Sequence, residues 1–207
     1  MTADEVESLL DGLAAVRWSV ASRTYGSDHA TLIGLLVDWW ISAQPNERWA
    51  LESGPSYGHV KGGKGRGQCD ALLCDGSGAV GLVEIEAYRG AYTARKIGKF
   101  FASRDPDLAA LRFAILLLYA GSPVGHGTGR IFRPASDPST IEAVERVSES
   151  IAKKPIILIT VDKLFERELT GIRARNDYYR GTPSAIKAVR YLDGKRDGER
   201  TYFRHVV

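Results

Sequence analysis

Three carboxylates, Asp70, Glu84 and Glu86, have the types and spacing to do chemistry. Asp70 lies in QCDALLCD (68–75), which reads as a strand, and Gly76-Ser77-Gly78 reads as a turn. AVGLVEIEAY (79–88) reads as the returning strand of a hairpin. Glu84 and Glu86 are two apart and share one strand face, while Val83, Ile85 and Ala87 fill the other. Pairing about the turn sets residue i opposite roughly residue 154 − i, which brings Asp70 next to Glu84. Carboxylates gathered on a covered face are costly without compensation. A divalent cation supplies it, because Mg²⁺ and Mn²⁺ prefer oxygen ligands and often take only two protein carboxylates plus waters.

The elements that must hold these residues can be read along the chain. ADEVESLLDGLAAVRWSVAS places Val6, Leu9, Leu10, Leu13, Val16 and Val20 at helical spacing, with Thr2 as N-cap and Glu5 at the capping-box position. A second helix fits HATLIGLLVDWWISAQ, ended by Pro45, with one ring of Trp39-Trp40 facing the core. RWALES (48–53) reads as a short strand, followed by the glycine-rich connection GPSYGHVKGGKGRG. After the hairpin, Ala91–Ser103 is helical. FAILLLYA (113–120) and PIILITVDK (155–163) are apolar runs of the kind buried on both faces, with an amphipathic helix, Ser139–Lys153, between them. The end, AIKAVRYLDGKRDGERTYFRHVV, reads as two strands around an Asp-Gly turn.

The expected fold is α/β, a three-layer sandwich with a mixed central sheet and a C-terminal β extension. An N-terminal helix (1–28) precedes an α/β core (29–163), and a basic extension with a hairpin (164–207) follows it. The early strands lack crossover helices, so a dinucleotide-binding sheet of the doubly wound kind is excluded.

Asp70, thirteen intervening residues and then Glu84-Ile85-Glu86, across a hairpin and into a helix, resemble the PD-(D/E)xK nuclease superfamily. That superfamily includes restriction endonucleases, junction resolvases and DNA-repair nucleases. Its α-β-β-β-α-β core order is similar to residues 29–120, a little under half of the chain. The resemblance implies a restriction-endonuclease-like fold and an endonuclease that hydrolyses DNA phosphodiester bonds with Mg²⁺ or Mn²⁺. It implies that Asp70 and Glu84 hold the metal, with the carbonyl of Ile85 as a further ligand. The third motif residue is usually lysine and is here Glu86, the E-x-E variant, which either completes a second metal site or acts as base on the attacking water. The cation that stabilises the developing phosphorane charge would then come from Lys96 or Lys99 on the following helix. Among further acidic ligands Glu52 ranks ahead of Asp38 and Glu7. The alternative is a relative that kept the fold, lost catalysis and acts in nucleic-acid binding or as a scaffold.

Composition agrees with a polyanionic partner. The net charge of +3 hides an acidic start and two basic regions: residues 1–47 carry −5, 48–99 carry +3, 100–162 balance, and 163–207 carry +5. Lys61, Lys64 and Arg66 sit on flexible glycines just before Asp70, suited to a nucleic-acid backbone. DNA is the expected partner, with RNA left open. One active site cuts one strand, so a homodimer is the expected form for double-strand cleavage. The segment from Gly58 to Gly65 nearly matches a nucleotide-binding P-loop, but Gly65 replaces the Ser/Thr and a strand follows where a helix is required. The four histidines have no metal-ligand spacing, and Cys69 and Cys74 form neither a disulfide framework nor a zinc site. No apolar run reaches the roughly 18 residues of a membrane span, and the acidic start lacks the basic region of a secretion signal. A cytoplasmic protein that does not enter a membrane is the expectation.

Overall fold

A single seven-stranded sheet, in the order β1 to β7, organises the chain. The computed structural model describes residues 2–15, 26–44, 46–52, 68–86, 90–119, 138–163 and 183–203. The strands are β1 (Trp49–Glu52), β2 (Ala71–Asp75), β3 (Gly78–Glu86), β4 (Phe113–Tyr119), β5 (Ile156–Lys163), β6 (Pro183–Leu192) and β7 (Lys195–Phe203). The helices are α1 (Ala3–Ala15), α2 (Gly26–Ala43), α3 (Gly90–Phe101) and α4 (Pro138–Ser150). Strands β1 to β3 pair antiparallel, β3 to β5 parallel and β5 to β7 antiparallel, so the sheet is mixed. The expected C-terminal hairpin is present and continues this sheet through β5.

Each face of the sheet has its own core. Odd-numbered residues of β4, such as Ile115 and Leu117, pack with Leu9, Leu13, Leu32 and Leu36 of α1 and α2. Even-numbered residues, Ala114, Leu116 and Leu118, pack with Ala94 and Ile97 of α3 and Val144 of α4. All seven residues of β4 are buried, as a parallel strand covered on both faces requires. The protein is therefore α/β, with two helices on each face of a mixed sheet, a layout compatible with a three-layer sandwich.

Local chemistry explains how these elements start and stop. Thr2 and Glu5 close a reciprocal capping box on α1: Thr2 N donates to Glu5 Oε2 at 2.8 Å, and Glu5 N donates to Thr2 Oγ1 at 3.2 Å. Helix α4 ends at Ser150, three residues earlier than the sequence pattern extends, where Ala152 and Lys153 turn to φ of 21° and 61°. On α2, Trp40 is buried and its indole N–H donates to the Cys74 carbonyl at 2.9 Å, tying that helix to β2.

A β-bulge decides which face the acidic residues take. The β2–β3 register runs Ala71↔Val83, Leu72↔Leu82 and Leu73↔Gly81, then shifts at Leu73/Cys74 to Cys74↔Ala79. The extra residue on β3 is Val80, and Val80 and Gly81 both face α1 and α2. Alternation then resumes with Leu82 towards α3 and Val83 towards α2, so Glu84 falls on the α3 side.

Candidate active site

Strand β2 begins three residues later than the sequence pattern places it, and the site is built at that end. The sequence reading puts Asp70 inside the strand; β2 begins at Ala71, and Asp70 occupies a bend just before it. Its backbone still donates to the Val83 carbonyl at 3.2 Å. Its carboxylate Oδ2 then accepts from the Ile85 N–H at 2.6 Å. A side chain thus takes the place of the main-chain acceptor that the next step of the antiparallel ladder would supply. Past this point β3 runs on to Glu86 with β4 on its other side.

From the α2 side, His29 Nε2 stands 3.4 Å from Asp70 Oδ2. Hydrogen bonding to Asp70 is the largest cause raising the imidazole pKa above its ordinary 6.5; burial opposes it, and the charges of Asp70 and Glu86 and a hydrogen bond to the Ile85 backbone add to it. Ile85 therefore meets the Asp70 carboxylate through its N–H and His29 through its backbone, at the position where the sequence reading places a carbonyl ligand.

On the α3 side stands Glu84, a buried acidic residue with only 2% of its surface exposed. Lys96, twelve residues downstream on α3, reaches it: Nζ hydrogen-bonds Oε2 at 2.8 Å and lies 2.8 Å from Oε1. Oε1 is buried and accepts no hydrogen bond. Burial pushes the Glu84 carboxyl up to about 8; Lys96 opposes the rise, and the neighbouring charges of Asp70 and Glu86 reinforce it. Glu86, half-buried at the end of β3, lies with Oε2 3.5 Å from Thr93 Oγ1 on the same helix.

The sequence-predicted residues are thus brought together unequally. Asp70 and Glu84 are neighbours across the hairpin, as the pairing arithmetic expects, and Glu84 and Glu86 both meet α3. Lys96 is the lysine that reaches Glu84, whereas Lys99 is exposed one turn further on. Glu52 ends β1 with its backbone paired to Ala71, and its side chain lies outside the described residues. Lys61, Lys64 and Arg66 also lie outside them. His29 is the residue that sequence reasoning missed, since one histidine forty-one positions before Asp70 has no recognisable ligand spacing. Its position at the first turns of an amphipathic helix is the signal that could have found it. Cys69 is buried, and burial first, then the Glu84 charge, pushes its thiol up to about 12, which disfavours the thiolate.

Among the described residues no three His, Cys, Asp or Glu side chains form a metal-binding group. Two hard oxygen donors, the Asp70 carboxylate and a Glu84 carboxyl that already meets the Lys96 ammonium, nevertheless fit by donor type the small set that Mg²⁺ requires. Comparison with protein-family models, with curated proteins and with solved structures finds no match for this chain.

Proposed function

We propose that the protein is a divalent-metal-dependent nuclease that hydrolyses DNA phosphodiester bonds, with a restriction-endonuclease-like core. The observation that carries this reading is the Lys96 ammonium 2.8 Å from buried Glu84, with Asp70 on the adjacent strand end. An acid on each strand of a hairpin and a lysine are the functional set of the PD-(D/E)xK pattern, with the lysine here on α3 in place of position 86. The sheet supports the same reading, because an antiparallel β1–β2–β3 meander leads through α3 to a parallel β4.

In this mechanism Asp70 and Glu84 would hold Mg²⁺ or Mn²⁺. The bound ion supplies Lewis acidity towards the phosphoryl oxygen and lowers the pKa of its water. The Ile85 N–H fixes the Asp70 carboxylate, and the α2 imidazole fixes it from the other side. Lys96 holds Glu84 by hydrogen bonding before substrate arrives and would offer its ammonium to the charge that develops on phosphorus. Glu86, at the end of β3, would accept a proton from the attacking water.

A catalytically silent relative that binds nucleic acid or serves as a scaffold is the second reading, favoured by the Lys96–Glu84 pair already satisfying the charge of that carboxylate. Incubation with supercoiled, linear and branched DNA in Mg²⁺ or Mn²⁺, beside Asp70→Ala and EDTA controls, separates the two. Cleavage lost in both controls is the expected result. Binding without cleavage in any metal would overturn the nuclease reading in favour of the silent relative.

A further inference from the structure

Helix α3 does more than deliver Lys96. Its sequence, GAYTARKIGKFF, carries three cations and no carboxylate. Gly90, Thr93, Ala94, Ile97 and Phe100 form its buried face. Tyr92, Arg95, Lys96 and Lys99 follow at i, i+3, i+4 and i+7, so they share one stripe on the opposite side. Arg95 and Lys99 are exposed, and Tyr92 is 58% exposed, one of the large side chains left mostly open among the described residues. The stripe starts at the mouth of the site, since Thr93 touches Glu86 and Lys96 touches Glu84.

The neighbouring helix sharpens the contrast. α4 packs beside α3 where Gly98 meets Val147, and it carries Glu142, Glu145 and Glu149 against a single Arg146. The two-helix layer is therefore polarised, with a net positive charge on the helix that borders the carboxylates and a net negative charge on α4. A polyanion laid along this layer is attracted by α3 and repelled by α4. An aromatic ring in line with cations one turn apart matches the stacking-plus-phosphate pattern by which single strands are gripped.

We infer that the Tyr92–Arg95–Lys99 stripe of α3 is the track for a single-stranded nucleic-acid segment, with an unstacked base on Tyr92 and phosphates on Arg95 and Lys99. This rests on the nuclease reading only in taking the bound strand to be a substrate. The stripe selects single-stranded or splayed substrate over intact duplex, because a base inside a duplex has no free face for Tyr92.

The test is fluorescence anisotropy of the full chain with a labelled single-stranded oligodeoxynucleotide in EDTA, across a salt series, beside the matching duplex. Tyr92→Ala is expected to weaken single-strand binding about tenfold, and Tyr92→Phe to leave it unchanged. The double variant Arg95→Gln/Lys99→Gln is expected to reduce the slope of log K against log salt by about 1.4. Arg146→Gln, on α4, is expected to leave that slope unaltered. Duplex bound as tightly as single strand, no binding by the wild type, or variants that bind like it would each overturn the inference. Metal-dependent cleavage with unaltered binding by the stripe variants would overturn the track and leave the nuclease reading standing. Stripe-dependent binding without cleavage would do the reverse.

Discussion

Replacing Glu84 by glutamine keeps the shape of the side chain and removes its titration. The carboxyl ordinarily titrates at 4.5 and is pushed by burial up to about 8 in the folded protein. Between these values the native state holds a proton that the unfolded chain has released, so stability falls as pH rises through this window and is flat outside it. At about 1.4 kcal/mol per pH unit the whole window amounts to about 5 kcal/mol, and the part between pH 5 and 8 to about 3–4 kcal/mol. The figure is not diluted by solvent, because the Glu84 side chain is only 3% exposed. Lys96 is 24% exposed and can turn its ammonium to water when its partner becomes neutral. Glu84→Gln should therefore gain stability over the wild type by about 3–4 kcal/mol on going from pH 5 to pH 8. Denaturant titrations in EDTA at several pH values, followed through tryptophan fluorescence, read the difference directly. A difference that stays constant across the window would refute the reasoning, since it would mean that Lys96 holds Glu84 ionised throughout.

Other perturbations test other parts of the structure. Mg²⁺ or Mn²⁺ at a hundredfold excess over its dissociation constant should stabilise the wild type by about 2.7 kcal/mol in thermal unfolding, and neither Asp70→Asn nor Glu84→Gln should respond. An equal response in all three would place the cation elsewhere. Because the pKa of His29 is raised, its contribution to stability is complete below 6.5 and is lost as pH rises through the raised value. His29→Asn should remove that loss, and an unchanged pH profile would argue against the Asp70 contact. At Gly81 a Cβ would lie 2.5 Å from Phe113 Cζ, so Gly81→Ala should cost about 1–3 kcal/mol. Adding Phe113→Leu should recover part of that cost, and strict additivity of the two changes in denaturant titrations would show that they do not meet.

The parts of this architecture legible in the sequence are those governed by periodicity. FAILLLY and IILITVDK read as buried strands because both faces are covered, and they are β4 and β5. The hairpin arithmetic was right from Ala71↔Val83 to Leu73↔Gly81 and failed only nearer the turn, where the bulge inserts Val80. Such a bulge leaves no mark in a run of small and apolar residues. The orientation of Asp70 was hidden for a different reason. Because β2 begins only at Ala71, alternation does not dictate where the preceding side chain points, and the Ile85 N–H decides instead. Lys96 and Lys99 were equal candidates on helical spacing; only the position of α3 against β3 distinguishes them. His29 depends on the docking of α2 against the hairpin, a contact between elements that no local pattern encodes.

The order of the strands has a consequence for how the molecule is made. Every described strand is paired with its neighbours in strand order, so a sheet growing behind the ribosome has its next docking edge ready. Helix α1 breaks this vectorial rule. It packs on β6 and β7, and Arg200 Nε reaches Glu7 Oε1 at 3.2 Å across 193 positions of sequence. Helix α1 is consequently synthesised long before it is fully covered, and Val6, Leu9, Leu10 and Leu13 stay without their complete lining until the β6–β7 hairpin arrives. The interval before that closure is when the nascent chain offers most to a chaperone, and when premature release would most readily lead to aggregation.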